Sequence, residues 1–257
     1  MPGTSLGTAL VTGAAKRIGR VIALDLAQRG WAVAVHCHRS LSEAESLVSD
    51  LQADGRRAAV VQADLADEDE TADLVDRTAR ALGPVTCLVN NASVFENDHW
   101  DSVTRLSWDR HMQVNTRAPF VLSAAVAAQV PEGAHAAIVN ILDQRVWNLT
   151  PHFMSYTVSK VALWALTRQM ALALAPRIRV NAVGPGPTMP SPRQSDAQFA
   201  RQWSMMPLAQ RVEPQEIADA VRFILDAPSM TGQMICVDGG QHLGWCQPQP
   251  AVQAIEE

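Results

Sequence analysis

Seven short apolar runs, each separated from the next by a helical pattern, constrain this chain more than any other feature. They fall at residues 8–12, 32–36, 58–62, 87–90, 136–141, 179–183 and 234–237. Each is nearly continuously apolar rather than alternating, as strands are when both faces of their sheet are covered. Helical patterns lie between them, near residues 18–29, 43–53, 68–81, 108–129, 154–175 and 214–225. Strands joined by crossover helices run parallel. The expected fold is therefore α/β: a doubly wound, parallel, seven-stranded sheet with helices on both faces.

At 257 residues, such a sheet fits within one domain, placed at residues 1–246. Residues 247–257 form a Pro/Gln-rich tail that is expected to be loosely held. The stretch 184–206 is rich in Pro, Gly, Ser and Gln and follows a strand end, so it reads as a mobile substrate loop. A formal net charge of -5 argues against nucleic acid as a partner. Cys37, Cys87, Cys236 and Cys246 show no metal-finger or disulfide spacing. The first three fall in or beside predicted strands and read as buried free thiols, which suits a reducing, cytoplasmic compartment. No metal site is expected. The N-terminus lacks a basic segment followed by a long apolar one, so no signal peptide is expected. The most apolar helix, 161–175, is interrupted by Arg168 and Gln169 and is too short to span a bilayer. That helix and 118–128 are apolar on nearly every face. A helix covering a sheet needs one apolar stripe, so the excess points to a partner helix from another subunit, or else to deep burial.

The first strand ends in Thr12-Gly-Ala-Ala-Lys-Arg-Ile-Gly19, and a helix follows. Gly13 permits a tight turn and Gly19 lets the helix pack closely. Amides at the helix start, including those around Lys16, Arg17 and Ile18, can then face a diphosphate. The alternative is a plain strand-to-helix connection. The second strand ends in His36-Cys-His38-Arg39-Ser40, where an NAD site usually carries an acidic residue. Arg39 can fork onto a 2′-phosphate, Ser40 can donate to it, and Lys16 and Arg17 add positive charge, so NADPH is the expected cofactor. A solvated basic turn is the competing reading. Asp64 and Leu65 follow the third strand, where Asp64 either receives an adenine amino group or caps a helix. Asn90-Asn91-Ala92-Ser93 ends the fourth strand, in the crevice where open sheets bind ligands. Pro185, Gly186 and Thr188 follow the sixth, within reach of a nicotinamide amide.

Tyr156 and Lys160 are four residues apart, on one face of a helix. A phenol beside an ammonium is expected to have a pKa lowered toward neutrality, as a proton donor to a carbonyl or imine needs. Asp143, after the fifth strand, can face the same pocket.

Together, TGxxxxxG, NNA, Asn115, YxxxK and PG resemble the short-chain dehydrogenase/reductase family across nearly the whole chain. The resemblance implies a Rossmann-type fold, a homotetramer and hydride transfer from nicotinamide C4. It also implies Tyr156 as acid/base, Lys160 lowering its pKa and holding the ribose, and Asn115 supporting a water relay toward Lys160. Three departures stand out. The middle glycine of the phosphate turn is missing, with Arg17 in that region. NNAG is NNAS. The family's catalytic serine is Asp143. Each departure is similar to the pteridine reductase branch, a pattern shared by bacterial dihydromonapterin reductases. That branch implies a pterin stacked between nicotinamide and Phe95, with Arg17, Ser93, Asp143 and Tyr156 making polar contacts. An aromatic platform adds about 0.5–1.5 kcal/mol beyond area burial. Trp147, Trp203 and Met205 line the substrate mouth, or form a surface patch. The expected function is NADPH-dependent reduction of a dihydropterin. A carbonyl reductase of the same family is the alternative, and a catalytically silent NADP-binding sensor is a third reading.

Overall fold

The computed structural model describes residues 6–244. Cys246 and the tail at 247–257 lie outside them. The strands are β1 (Thr8–Val11), β2 (Ala32–Cys37), β3 (Ala58–Gln62), β4 (Val85–Asn90), β5 (Ala136–Ile141), β6 (Ile178–Pro185) and β7 (Met234–Val237). The helices are α1 (Arg17–Gln28), α2 (Leu41–Ala53), α3 (Glu68–Leu82), α4 (Arg105–Met112), α5 (Ala118–Gln129), α6 (Met154–Ala173), α7 (Asp196–Ser204), α8 (Pro214–Asp226) and α9 (Gln241–Gly244). One parallel sheet has the order β3-β2-β1-β4-β5-β6-β7. The strand order reverses beside β1, which opens a crevice at the C-terminal ends of the strands.

Alternate strand residues feed two cores. Ala9 and Val11 join Ile22 and Leu26 of α1, Leu47 of α2 and Ile217 of α8 on one face. Leu10 joins Leu74 of α3, Leu122 of α5 and Met170 of α6 on the other. This period-two division holds the strand ends, and thus the crevice, to fixed positions.

Two segments differ from expectation. The helix foreseen at 108–129 is α4, a π-helical turn at Gln113–Arg117, and α5, with Pro119 in the first turn of α5. The proposed loop at 184–206 begins as the end of β6 and contains α7. Ser195 and Gln198 form a capping box there, each side chain meeting the other's backbone amide. That pair of residues is a helix-start signal that the polar composition masked. Cys37 and Cys87 are buried as expected, but Cys236 is only half-buried. No described helix is long and apolar enough to cross a membrane.

Candidate active site

The turn after β1 is shaped by close approaches. Gly13 has φ +64, and a Cβ there would meet Ala92 Cα at 3.0 Å. A Cβ on Gly19 would sit 2.3 Å from the Gly13 carbonyl oxygen. Neither position tolerates a larger residue. The Asn91 side chain ties this turn to the end of β4. Its Nδ2 donates to Thr12 O (2.8 Å) and Gly13 O (3.3 Å). The Thr12 hydroxyl accepts from the amides of Asn91 (2.9 Å) and Ala92 (3.0 Å). Ile18 packs against the core.

Arg17 opens α1. It adopts φ +54, a left-handed conformation that disfavours side chains. Its Nη1 donates to Pro190 O (2.9 Å) and Nη2 to Met189 O (3.1 Å), clasping the segment after β6. Lys16 is paired with Glu43 at 2.6 Å.

His36, whose role the sequence did not suggest, supports the same turn. The Gly13 amide donates to its Nδ1 (3.0 Å), so the ring proton lies on Nε2 and donates to Ala63 O (3.1 Å). Burial drives its pKa down from 6.5 to about 4. The native state thus binds fewer protons than the unfolded chain between these values. The stability His36 contributes is fully present above pH 6.5 and is lost as pH falls through about 4. We expect wild-type stability to fall, relative to His36→Gln, by at most about 3 kcal/mol across that window. Chemical denaturation at a series of pH values measures this, and parallel profiles for the two proteins would contradict it.

A cavity of about 250 Å³ beyond the turn is lined by Gly13, Lys16, His38, Arg39 and Ser40, among others. Arg39 is exposed and makes no ion pair among the described residues. Ser40 is the residue before α2 and its hydroxyl makes no capping bond. A guanidinium, a hydroxyl and a helix N-terminus together are a donor set that suits a phosphomonoester. Asp64 lies 3.4 Å from His38 Nε2 and accepts from the Ala66 amide (2.9 Å). Asp67, not Asp64, caps α3, which removes the capping alternative. Leu65 is buried beside it.

Tyr156, Ser159, Lys160, Leu163 and Thr167 form the buried stripe of α6. The Tyr156 hydroxyl donates to Asp143 Oδ2 (2.8 Å). Asp143 Oδ1 accepts from the Arg145 amide (2.9 Å), and the buried Arg145 guanidinium approaches to 3.8 Å. Lys160 Nζ donates to Ile141 O (2.9 Å) and lies 5.8 Å from the Tyr156 ring centroid. This reverses the expected ionisation. Burial, then the charge and hydrogen bond of Asp143, hold the Tyr156 phenol well above its ordinary pKa. Burial pulls Lys160 down to about 8. The protein by itself holds Tyr156 as an acid with its proton kept in place.

Asn115 lies in the π-helical turn. Its Oδ1 accepts from Val94 N (2.8 Å) and the Ser93 hydroxyl (3.1 Å), and its Nδ2 donates to Val94 O (2.9 Å) and Ser159 Oγ (3.0 Å). Its side chain thereby braces the 93–94 segment against Ser159 of α6.

Phe95 is stacked on Phe153 (4.5 Å, 5° between planes) and edge-on to Tyr156 (4.6 Å). The expected single platform is a two-ring stack, and Phe153 went unforeseen. So did Arg193, whose guanidinium is 5.3 Å from one ring centre and 5.8 Å from the other and donates to Phe95 O (3.3 Å). Near-equal distances to two rings 4.5 Å apart put it beside the pair rather than over one end. Trp147 is half-exposed and meets His242 edge-on. Met205 is exposed, whereas Trp203 is partly buried and packs against the core. Pro185 ends β6, a Cβ on Gly186 would strike Asp238 at 2.7 Å, and Thr188 donates to Gly186 O (2.9 Å). Cys236, Asp238 and His242 bring possible metal-ligating atoms within 4.8 Å of one another. The Asp238 carboxylate already accepts from Gly240 N, His242 N and His242 Nδ1 (3.0, 2.8 and 2.7 Å), so these residues shape the turn after β7.

The crevice therefore joins a glycine cradle, a phosphomonoester pocket, a phenol–carboxylate pair and an aromatic stack along one edge of the sheet. Comparison with known proteins finds similarity along nearly the whole described chain. The Enoyl-(Acyl carrier protein) reductase family model matches residues 13–242. A crystal structure of the FolM alternative dihydrofolate reductase 1 from Brucella suis in complex with NADP is 47% identical, covers 95% of this chain and 98% of that one, and superposes with a TM-score of 0.92. A Burkholderia cenocepacia short chain dehydrogenase in complex with NADP is 35% identical over 92% of this chain and 98% of its own, with a TM-score of 0.86. The 3-oxoacyl-[acyl-carrier-protein] reductase FabG of Staphylococcus epidermidis is 32% identical over 92% of this chain and 99% of its own.

Proposed function

The chain belongs to the short-chain dehydrogenase/reductase family, and from that premise we propose that it is an NADPH-dependent reductase of dihydropterins. NADP fits the residues present. Gly13 and Gly19 leave room where a side chain would collide, and Arg39 and Ser40 offer a guanidinium and a hydroxyl to the 2′-phosphate. Gly186 and Thr188, which follow β6, are offered to the nicotinamide amide.

The observation that carries the substrate reading is the Tyr156–Asp143 hydrogen bond. A serine in that position polarises one carbonyl oxygen. A carboxylate instead accepts from ring N–H and amino groups, of which a pterin has several. When bound, NADPH supplies the hydride. Tyr156 supplies the proton to the ring nitrogen beside the reduced carbon, and Asp143 holds that proton in line until it is used. The Arg145 amide and guanidinium fix the Asp143 carboxylate. Phe95, backed by Phe153, offers a flat apolar surface to the pterin ring. The similarity to an alternative dihydrofolate reductase supports a substrate of this chemistry.

The similarity to 3-oxoacyl reductases favours a second reading, reduction of a ketone with Asp143 in the serine's place. A screen following NADPH absorbance separates the two. We expect turnover of dihydromonapterin, dihydrobiopterin or dihydrofolate to exceed that of ketones and 3-oxoacyl thioesters. Efficient ketone reduction with no pterin turnover would overturn the proposal.

Self-association into a homotetramer is part of the same proposal. Leu106 and Phe120 are exposed beside a groove between α4 and α5 that Met112, Arg117 and Leu166 also line. So is a cytoplasmic location, which suits free thiols at Cys37 and Cys87.

A further inference from the structure

The helix that carries Tyr156 begins without a cap of its own. The residue before it, Phe153, has φ +55 and ψ +51, and its side chain cannot accept a hydrogen bond. The first amides of α6 would be left without partners, because no intrahelical carbonyl lies ahead of them. They are instead met by a residue 57 positions away in sequence. The Met154 amide donates to the Asp98 backbone carbonyl (3.1 Å). The Ser155 amide donates to Asp98 Oδ1 (3.0 Å), and the Ser155 hydroxyl donates to Asp98 Oδ2. A negative charge at this end of a helix is also favoured by the helix dipole.

Asp98 is itself held from α4. Ser107 Oγ donates to its Oδ2 (3.2 Å). His111 Nδ1 is 2.9 Å from Ser107 O and 2.7 Å from Ser155 Oγ, and its Nε2 accepts from the Glu96 amide (3.2 Å). The Ser107 carbonyl can only accept, so the His111 proton is on Nδ1 and the ring is neutral. Asp98 is 5% exposed, and His111 and Ser155 are fully buried. Such a carboxylate is retained only where its bonds are complete. The segment between β4 and α4 that presents Asp98 also presents Ser93 and Phe95. One side chain therefore registers the aromatic platform against the helix of the proton donor.

We propose that Asp98 is a positioning residue for the reaction, an external cap that sets the place of the Tyr156 hydroxyl relative to Asp143 and the Phe95–Phe153 stack. The inference rests on the reading of Tyr156 as proton donor. It predicts a loss in the chemical step that is separate from cofactor binding and from folding. A displacement of about 1 Å at a reacting group costs up to about 10²-fold in rate, so Asp98→Ala is expected to lower kcat by about 10- to 10²-fold. The KM for NADPH should stay near the wild-type value. Asp98→Asn keeps an acceptor for the Ser155 amide but not for its hydroxyl, and should fall between wild type and Asp98→Ala.

The experiment is steady-state kinetics of the three proteins with the best substrate of the screen, each normalised to protein folded by circular dichroism, beside Tyr156→Phe. A kcat loss at constant KM for NADPH, partly restored in Asp98→Asn, supports the proposal. Folded Asp98→Ala with wild-type kcat overturns it, as does a loss that follows NADPH affinity. If Asp98→Ala does not fold, Asp98→Asn decides: reduced kcat at constant KM for NADPH supports the proposal, and wild-type kcat overturns it. An active Tyr156→Phe would instead remove the proton-donor reading. An inactive Tyr156→Phe beside a fully active Asp98→Ala removes only the role of Asp98.

Discussion

Tyr156→Phe is expected to lower kcat by about 10³-fold, within the range spanned by general acid–base contributions, and to leave the KM for NADPH nearly unchanged. The change removes one oxygen from a buried ring already packed edge-on against Phe95, so the ring's place is kept. What is lost is the proton held on the hydrogen bond to Asp143. Because burial and Asp143 raise the phenol's pKa, the wild-type enzyme keeps that proton through neutral pH. Single-turnover NADPH oxidation isolates this step. A burst of wild-type rate in the variant would show that the proton comes from elsewhere. The same measurement on wild type separates an enzyme from a cofactor-binding sensor, which would give no burst.

Asp143→Ser discriminates between the two substrate readings. It is expected to lower kcat/KM for a dihydropterin by about 10²-fold or more, since a hydroxyl cannot replace a carboxylate as acceptor from several N–H groups. Ketone reduction should be preserved or raised, because serine suffices to polarise a single carbonyl. The variant also removes a carboxylate 3.8 Å from the buried Arg145 guanidinium, which keeps its bond to Thr150 (2.9 Å). Its thermal stability must therefore be measured alongside. The informative quantity is the ratio of pterin to ketone kcat/KM, which a general loss of stability does not shift. Parallel losses on both substrates would sink the assignment of Asp143 to pterin recognition.

The strands were legible because each is buried on both sides, and continuous apolarity survives in a single sequence. Tyr156, Lys160 and Asp143 were legible because fixed spacing on a helix and the end of a strand imply a common crevice. Their ionisation was not. The pKa of Tyr156 depends on a carboxylate 2.8 Å away in space and on the depth of both groups, neither of which spacing encodes. The charge of Arg17 is legible in the sequence, whereas the backbone angle that brings it to the Met189 and Pro190 carbonyls is not. Phe153 and Arg193 are not legible in the sequence, because a left-handed residue before a helix and a guanidinium beside a ring pair leave no periodic trace. The start of α7, by contrast, is written plainly as Ser195 and Gln198 within a polar stretch.

The left-handed backbone of Arg17 also says how this protein would respond to selection for heat resistance. Glycine would relax that conformation, although it would add freedom to the unfolded chain. It would also delete both hydrogen bonds that fasten Met189 and Pro190 to the cofactor turn. A gain in robustness at this position would therefore come with a loosened substrate side, so a thermostabilised descendant could differ from its parent in what it admits rather than in how it reacts.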